Sequence, residues 1–427
     1  MNDWLAALVE PPKWHRIPSG FPARAAESST KPGWYCLLDL LKFPRMPETP
    51  SSPRHFDYIN ALRGYAILMV VAVHTSTAFP DLPNWLAKIL TQGARGVQLF
   101  FVTSALTLSM SWVARHETAA NFYTRRLFRI APMFWIAIIF FLWLNGTAPS
   151  NYAPYGIGFK HIAMTALLVQ GFWPDTISSV VPGGWSVADE VIFYAMFPAI
   201  VPSLLKASWK SLIIVAVAVI VIAPRLSGLF EYGFSYLFPG SESVAGIYFS
   251  LWWFPRQLPC FIFGIMLFRF SAEGRSIPAS VARCACFLAM ALMLFIPFLD
   301  GVKYAMPLGL VTTYGIVFSL FAFSLMYWPN SPLIGRPIEW IGKVSYSAYF
   351  IHFVALRILP LLPSTGLPAA DMAYMFSIQV LVTVGLSSLT YLMIEKPMIR
   401  FGSALISARQ SRSRLPLDVQ PVGKSTG

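Results

Sequence analysis

The chain has little charge. Asp, Glu, Lys and Arg make up 12% of its 427 residues, while 56% are hydrophobic. That poverty argues against a soluble globular protein, which carries about twice as much charge. Acidic residues are scarcer still, 19 against 32 Lys and Arg, so the formal net charge is +13. Cysteine is rare, and Cys36, Cys260, Cys284 and Cys286 show no zinc or redox spacing; Cys284 and Cys286 read as small packing residues on an apolar helix. No metal site is expected. The sequence shows no internal repeat and no paired interrupted spans of the transporter kind, and its first twenty residues, MNDWLAALVEPPKWHRIPSG, lack the apolar core and small-residue site of a cleaved signal peptide.

What the chain has instead is apolar runs near twenty residues, the length that crosses a hydrocarbon core of about 30 Å. They fall at 62–80, 96–113, 128–145, 185–204, 210–230, 247–268, 283–300, 306–327, 338–358 and 373–394. The expected fold is an all-α polytopic membrane protein of about ten transmembrane helices. An eleventh candidate, HIAMTALLVQGFW at 161–173, is too short to cross. With that segment left outside, Lys and Arg concentrate on one side, and only Lys88, Arg95, Lys160, Arg225, Lys303 and Arg357 remain on the other, with Arg256 inside a span. By the positive-inside rule both termini are cytoplasmic, and 146–184 forms a long outer loop. The expected organisation is a Pro-, Ser- and base-rich cytoplasmic extension over 1–55, a membrane domain over 56–402, and a basic disordered cytoplasmic tail over 403–427. The base-rich balance is thus topological, and no nucleic-acid partner is expected.

Four polar groups interrupt these spans. In NALRGYAILMVVAVHTS, Arg63 and His74 are eleven residues apart, three helical turns plus about 20°, so they share one face roughly 16 Å apart. Arg63 at the cytoplasmic lip fits a snorkelling arginine as well as a ligand for an anion. His74, placed near mid-bilayer, fits either a contact with a neighbouring helix or a cavity-facing base. A long anionic cofactor with phosphates at the mouth and its reactive end at the imidazole suits the spacing, and acyl-coenzyme A has that shape. FYTRRLFRIAPMFW sets Arg125, Arg126 and Arg129 at the inner start of the third span, with Pro132 in its first turn; the cluster suits a topogenic signal or a polyphosphate. GGWSVADEVIFYAMF carries Asp189 and Glu190 in the outer half of the fourth span. Glu190 suits support of an imidazole or contact with sugar hydroxyls, and Asp189 an interfacial position. In WIGKVSYSAYFIHFV, Ser345, Tyr349 and His352 share a face that lines a cavity or serves interhelical hydrogen bonding.

Taken in order, ALRGYAILMVVAVH, GVQLFFVTSALTLS, FYTRRLFRIAPMFW, WSVADEVIFYAMF, RQLPCFIFGIML, IGKVSYSAYFIHF and EKP resemble bacterial acyltransferase family 3, the membrane O-acyltransferases that modify lipopolysaccharide, exopolysaccharide and peptidoglycan. The resemblance covers residues 56 to about 402. It implies an acyl donor, usually acetyl-coenzyme A, taken from the cytoplasm; a carbohydrate hydroxyl as acceptor; residence in the bacterial cytoplasmic (inner) membrane; and polysaccharide-assembly partners. Arg63 and His74 match the family's essential pair, Arg125, Arg126 and Arg129 its arginine cluster, and Trp185, Ser186, Glu190 and Tyr194 its fourth-span motif. Arg256 and Gly264 match a further element. His74 is then the general base, with Glu190 as support or acceptor contact, and Arg63 and the cluster are the cofactor clamp. Ser104, Trp185, Ser186, Tyr194, Arg256, Ser345, Tyr349 and His352 are the pocket candidates. One departure stands out: where the family reads Ile-Ser-Gly-Phe, this chain has Thr103, Ser104, Ala105 and Leu106, which keeps the serine and loses the glycine. With thirty residues after Pro397, no fused hydrolase-like domain is expected. The competing class is a transporter of glycans or acyl groups. The scaffold also accommodates succinyl or longer acyl donors, or a small-molecule acceptor.

Overall fold

The computed structural model describes residues 57–238, 240–299 and 308–413. The N-terminal extension expected over 1–55 and the last fourteen residues lie outside them. Among the described residues the chain is helical, with one isolated β-bridge between Ser150 and Ala153 in the outer loop. A backbone in hydrocarbon must satisfy its own N–H and C=O groups, and helices do this locally.

The helices, in chain order, are α1 (Asp57–Ser76), α2 (Asn84–Thr91), α3 (Gly96–Arg115), α4 (Ala119–Asn145), α5 (Phe159–Ala166), α6 (Gly184–Lys206), α7 (Trp209–Leu237), α8 (Ser241–Trp252), α9 (Phe254–Ser271), α10 (Ala279–Leu299), α11 (Leu310–Tyr327), α12 (Arg336–Lys343), α13 (Ser345–Ala355), α14 (Pro368–Thr390) and α15 (Lys396–Ser413). Nine stretches among the described residues are long and apolar enough to cross a membrane, and a shorter apolar stretch, Ser345–Leu359, supplies a tenth candidate. Their outward faces carry the apolar surface a bilayer solvates, as at Ile213, Ile214 and Val217 of α7 and Phe287, Leu288 and Phe295 of α10, all exposed. The segment around His161 forms only the eight-residue α5, too short to span.

Several boundaries differ from those read in the sequence. Helix α1 runs from Asp57 to Ser76, which puts His74 in its last turn. Its end is set by polar side chains that turn back onto the chain: Ser76 donates to the Val73 carbonyl at 2.7 Å and Thr77 to that of His74 at 2.7 Å. Helix α4 starts nine residues before the expected apolar run, where the Thr118 hydroxyl accepts the Asn121 N–H at 3.3 Å. Arg125, Arg126 and Arg129 therefore stand inside the helix, and Pro132 lies in its interior. At the other end, helix α15 carries on to Ser413, past the tail boundary at 403, because Ile406 is buried and Gly402 lies against Phe128 of α4.

Two expected spans are interrupted, contrary to the uninterrupted spans expected above. One breaks at Trp253, between α8 and α9, where the backbone is extended. The other breaks at Val344, between α12 and α13. The second break is buried, with Val344 0% exposed, as broken helices at membrane depth must be. A carboxylate caps it. Glu395 Oε1 accepts the Ser347 main-chain N–H at 3.0 Å and also the Ser347 hydroxyl. Glu395 reaches that helix start from a π-helical turn, Tyr391–Glu395, which breaks the α-helical register between α14 and α15.

Candidate active site

Helices α1 and α12 meet at the level of Arg63 because both carry glycine there. A Cβ on Gly342 would lie 1.7 Å from the Asn60 carbonyl oxygen, and one on Gly64 2.3 Å from that of Ile338. The main chains pack where side chains would otherwise hold them apart. A similar approach joins α9 to α3: a Cβ on Gly264 would lie 2.3 Å from the Val102 carbonyl and 2.8 Å from Ala105 Cβ. Ala105 occupies the place of the glycine lost from the third-position motif, and the close contact is retained because the facing residue is Gly264.

This packing encloses a cavity of about 460 Å³ between α1, α3, α4, α6, α13 and α15. Arg63, Arg125, Arg126 and Arg129 line it, with Ser104, Glu190 and Tyr194. The side chains are held in distinct ways. Arg125 Nε pairs with the buried carboxylate of Glu117. The Arg126 guanidinium lies 5.8 Å from the Phe122 ring centre and 5.9 Å from that of Tyr194. The Ser104 hydroxyl donates to Glu190 Oε1 at 2.6 Å, and the Tyr346 hydroxyl to the Ile130 carbonyl at 2.8 Å. Among the described residues, Nε of Arg63 and Nε of Arg126 are buried donors without a hydrogen-bond partner. Unpaired buried guanidinium donors beside an open cavity suit an anionic guest, since a phosphate supplies both charge and acceptors.

A second, smaller cavity of about 50 Å³ adjoins the first. Arg63, Phe100, Glu190 and Tyr346 line both, and Ser186, Ser345 and Tyr349 line only the smaller. Ser186 donates to the Tyr349 hydroxyl at 2.8 Å, and Tyr349 in turn donates to the Gly183 carbonyl at 3.2 Å. Ser345 Oγ, fully buried, has no partner among the described residues.

His74 lines neither cavity. Its ring is half-buried and faces His352, with centroids 5.2 Å apart, and Phe353 at 4.8 Å. His352 is 5.9 Å from Tyr349, so one layer of rings separates His74 from the smaller cavity. Glu190 hydrogen-bonds Ser104, not His74. Trp185 stacks on Trp252 at 5.5 Å and stands outside both linings. Tyr152 of the outer loop joins that stack, 5.4 Å from Trp252, and burial together with the neighbouring Tyr248 pushes its phenol above the usual range. Arg256 sits in the first turn of α9, within the field of Glu231 and away from the cavities. Asp189, read as interfacial, is 0% exposed, and neither of its oxygens has a hydrogen-bond partner among the described residues; α6 turns it into the bundle while its neighbour Glu190 faces the cavity.

Sequence reading missed Glu117, Glu395, Tyr346 and Gln379. Glu117 lies in the short turn between α3 and α4, where a single acid carries no motif. Glu395 belongs to the EKP element, but its target is 48 residues away. Gln379 had a readable signal, an amide in the middle of an apolar span.

A family profile described as an acyltransferase domain matches residues 56–392. The exopolysaccharide production protein ExoZ of Rhizobium meliloti is 26% identical over 322 residues, covering 74% of this chain and 92% of that protein. O-acetyltransferase OatA of Staphylococcus aureus is 24% identical over 396 residues, covering 86% of this chain. The chain spans 60% of the length of OatA. No solved structure matches the chain significantly.

Proposed function

The chain belongs to the acyltransferase domain family, and from that premise we propose that it moves an acetyl group from acetyl-coenzyme A to a hydroxyl of an envelope or secreted polysaccharide, or of its lipid-linked precursor, in the bacterial cytoplasmic membrane. The observation that carries this reading is the gathering of Arg63, Arg125, Arg126 and Arg129 around one cavity, on the side where Lys and Arg concentrate. The guanidinium groups hold the phosphates of the nucleotide end, and the thioester arm extends along α1 toward His74, roughly 16 Å further on. His74 takes the proton from the acceptor hydroxyl. The freed oxygen attacks the thioester carbonyl carbon and the carbon–sulfur bond breaks. The coenzyme A thiolate leaves and recovers the proton from the imidazolium, so an O-acetyl ester and a free thiol are the products. Glu190, fixed by Ser104, stands where the two cavities meet and orients the arm or the acceptor.

The polysaccharide acceptor is supported by the name of the rhizobial relative, which ties that protein to exopolysaccharide production, and polysaccharide-assembly partners fit the same reading. His74→Ala is expected to abolish O-acetylation of surface glycans, read by mass spectrometry, while the protein still accumulates in the membrane; full acetylation by that variant would overturn the mechanism. Thiol release from acetyl-coenzyme A in isolated membranes separates a transferase from a carrier, which releases none.

A further inference from the structure

Among the described residues the His74 ring has ring contacts and no hydrogen bond, and its aim depends on what surrounds it. Beyond Phe353 and His352 lies a network of buried polar groups on three helices. Gln379 of α14 donates from Nε2 to the main-chain carbonyl of His352 at 3.3 Å, and its Oε1 accepts the hydroxyl of Thr75, the residue after His74. Thr75, Gln379 and His352 are 0, 1 and 0% exposed. The His352 carbonyl sets the orientation of the amide, since flipping it would place Oε1 against that carbonyl oxygen. Thr75 Oγ1 also lies 2.8 Å from the Val71 carbonyl, within its own helix. One side chain of α14 thus clamps α1 and α13 together at the level of the two imidazoles.

His352 is fixed as well. Its Nδ1 lies 3.1 Å from the Ala348 carbonyl, which requires a proton on Nδ1. In the neutral ring Nε2 then carries a lone pair, and it has no partner among the described residues. Phe353 packs at 4.0 Å from the His352 ring and 4.8 Å from His74, closing the pair from one side.

We infer that Gln379 is a positioning residue for His74: by joining Thr75 to the His352 main chain, it holds the His74 ring against His352 and so keeps the base aimed at the reacting hydroxyl. The inference rests on the acyl-transfer reading of His74. Misplacement of a reacting group by an ångström is enough to lower a rate roughly 100-fold.

The test uses the full chain in its native membrane with two readouts: acetyl-coenzyme A turnover by thiol release, and the ¹⁵N imidazole resonances of histidine-labelled protein, assigned by loss of signal in His74→Ala and His352→Ala. Gln379→Met, which keeps the volume and removes the amide, is expected to lower kcat roughly 100-fold with an unchanged KM for acetyl-coenzyme A, and to move the His74 and His352 resonances. Thr75→Val repeats the test with an isosteric change should the methionine variant not accumulate, and Thr75→Ser, which retains the hydroxyl, restores both readouts. An unchanged kcat in Gln379→Met and Thr75→Val overturns the inference, and so does a fall in kcat with both resonances unmoved. If His74→Ala turns over at the full rate, the acyl-transfer reading fails instead, and the resonances still decide whether Gln379 sets the imidazole pair.

Discussion

Ser104 of α3 donates its hydroxyl to Glu190 Oε1 of α6 at 2.6 Å, across the wall of the larger cavity. A hydrogen bond to a charged group is worth about 1.5–3 kcal/mol, and it fixes a carboxylate that both cavities share. Ser104→Ala is therefore expected to lower kcat/KM about ten- to a hundredfold, and Glu190→Gln further. Because the two groups act as a unit, the double variant should lose less than the product of the single losses. Thiol-release kinetics on the four proteins check this; full additivity would mean that Glu190 acts without Ser104.

The arginine cluster makes a separate prediction. Arg125 and Arg126 are held by different partners, an ion pair with Glu117 for the first and two aromatic rings for the second. Lysine preserves charge but loses the planar fork that grips phosphate and stacks on rings. Arg126→Lys is expected to raise KM for acetyl-coenzyme A roughly tenfold with kcat largely kept, the signature of lost ground-state binding. Dephospho-coenzyme A thioesters, with fewer phosphate charges, should narrow the gap between variant and wild type. Equal KM values for both proteins would place the phosphates elsewhere.

The sequence made some of this legible and left the rest hidden, for physical reasons. Arg63 and the three arginines of α4 could be read because charge in an apolar chain is conspicuous and helical spacing is local. The gathering of Ser104, Glu190 and Tyr194 around them was not legible, since nothing local says that α3, α4 and α6 meet; the resemblance named the three only as site candidates. The apolar run at 62–80 reads past the end of α1, which hydroxyl groups turning back on the chain set at Ser76, so His74 falls in the last turn. The break at Val344 was illegible because 338–358 is apolar enough to pass as one span. What sustains the break, the Glu395 carboxylate, arrives from a π-helical turn 48 residues later. Gln379 acts through Thr75 at a separation of 304 residues, which no local pattern encodes.

Glu395 gives the third prediction. Its Oε1 caps the first turn of α13, and its other oxygen is buried without a partner among the described residues. Glu395→Leu strands the Ser347 N–H in an apolar setting, at a cost of about 1–3 kcal/mol. It also removes a negative charge from the neighbourhood of Arg63 and Arg129. The variant should unfold at a lower temperature in detergent than wild type, and Glu395→Gln, which keeps an acceptor oxygen, should recover much of the difference. If the two variants melt alike, the hydrogen bond is not what holds the broken helix.

The close approach of α1 and α12 supplies the last. A Cβ on Gly342 would fall 1.7 Å from the Asn60 carbonyl oxygen and 2.9 Å from the Gly64 nitrogen. Both of those atoms are main chain, so no side chain can rotate away and the helices must separate. Overpacking of this kind costs roughly 1–3 kcal/mol, and the displacement falls on the turn of α1 that carries Arg63, whose Nε is unpaired at the cavity wall. Gly342→Ala should therefore lose thermal stability and acetyl-coenzyme A affinity together. Gly385→Ala serves as the control, because a Cβ there meets nothing within 4 Å and alanine is the better helix former by about 1 kcal/mol. Its melting temperature should match or exceed that of wild type, with KM unchanged. A Gly342→Ala protein that keeps both its stability and its KM would show that the α1–α12 contact does not set the position of Arg63.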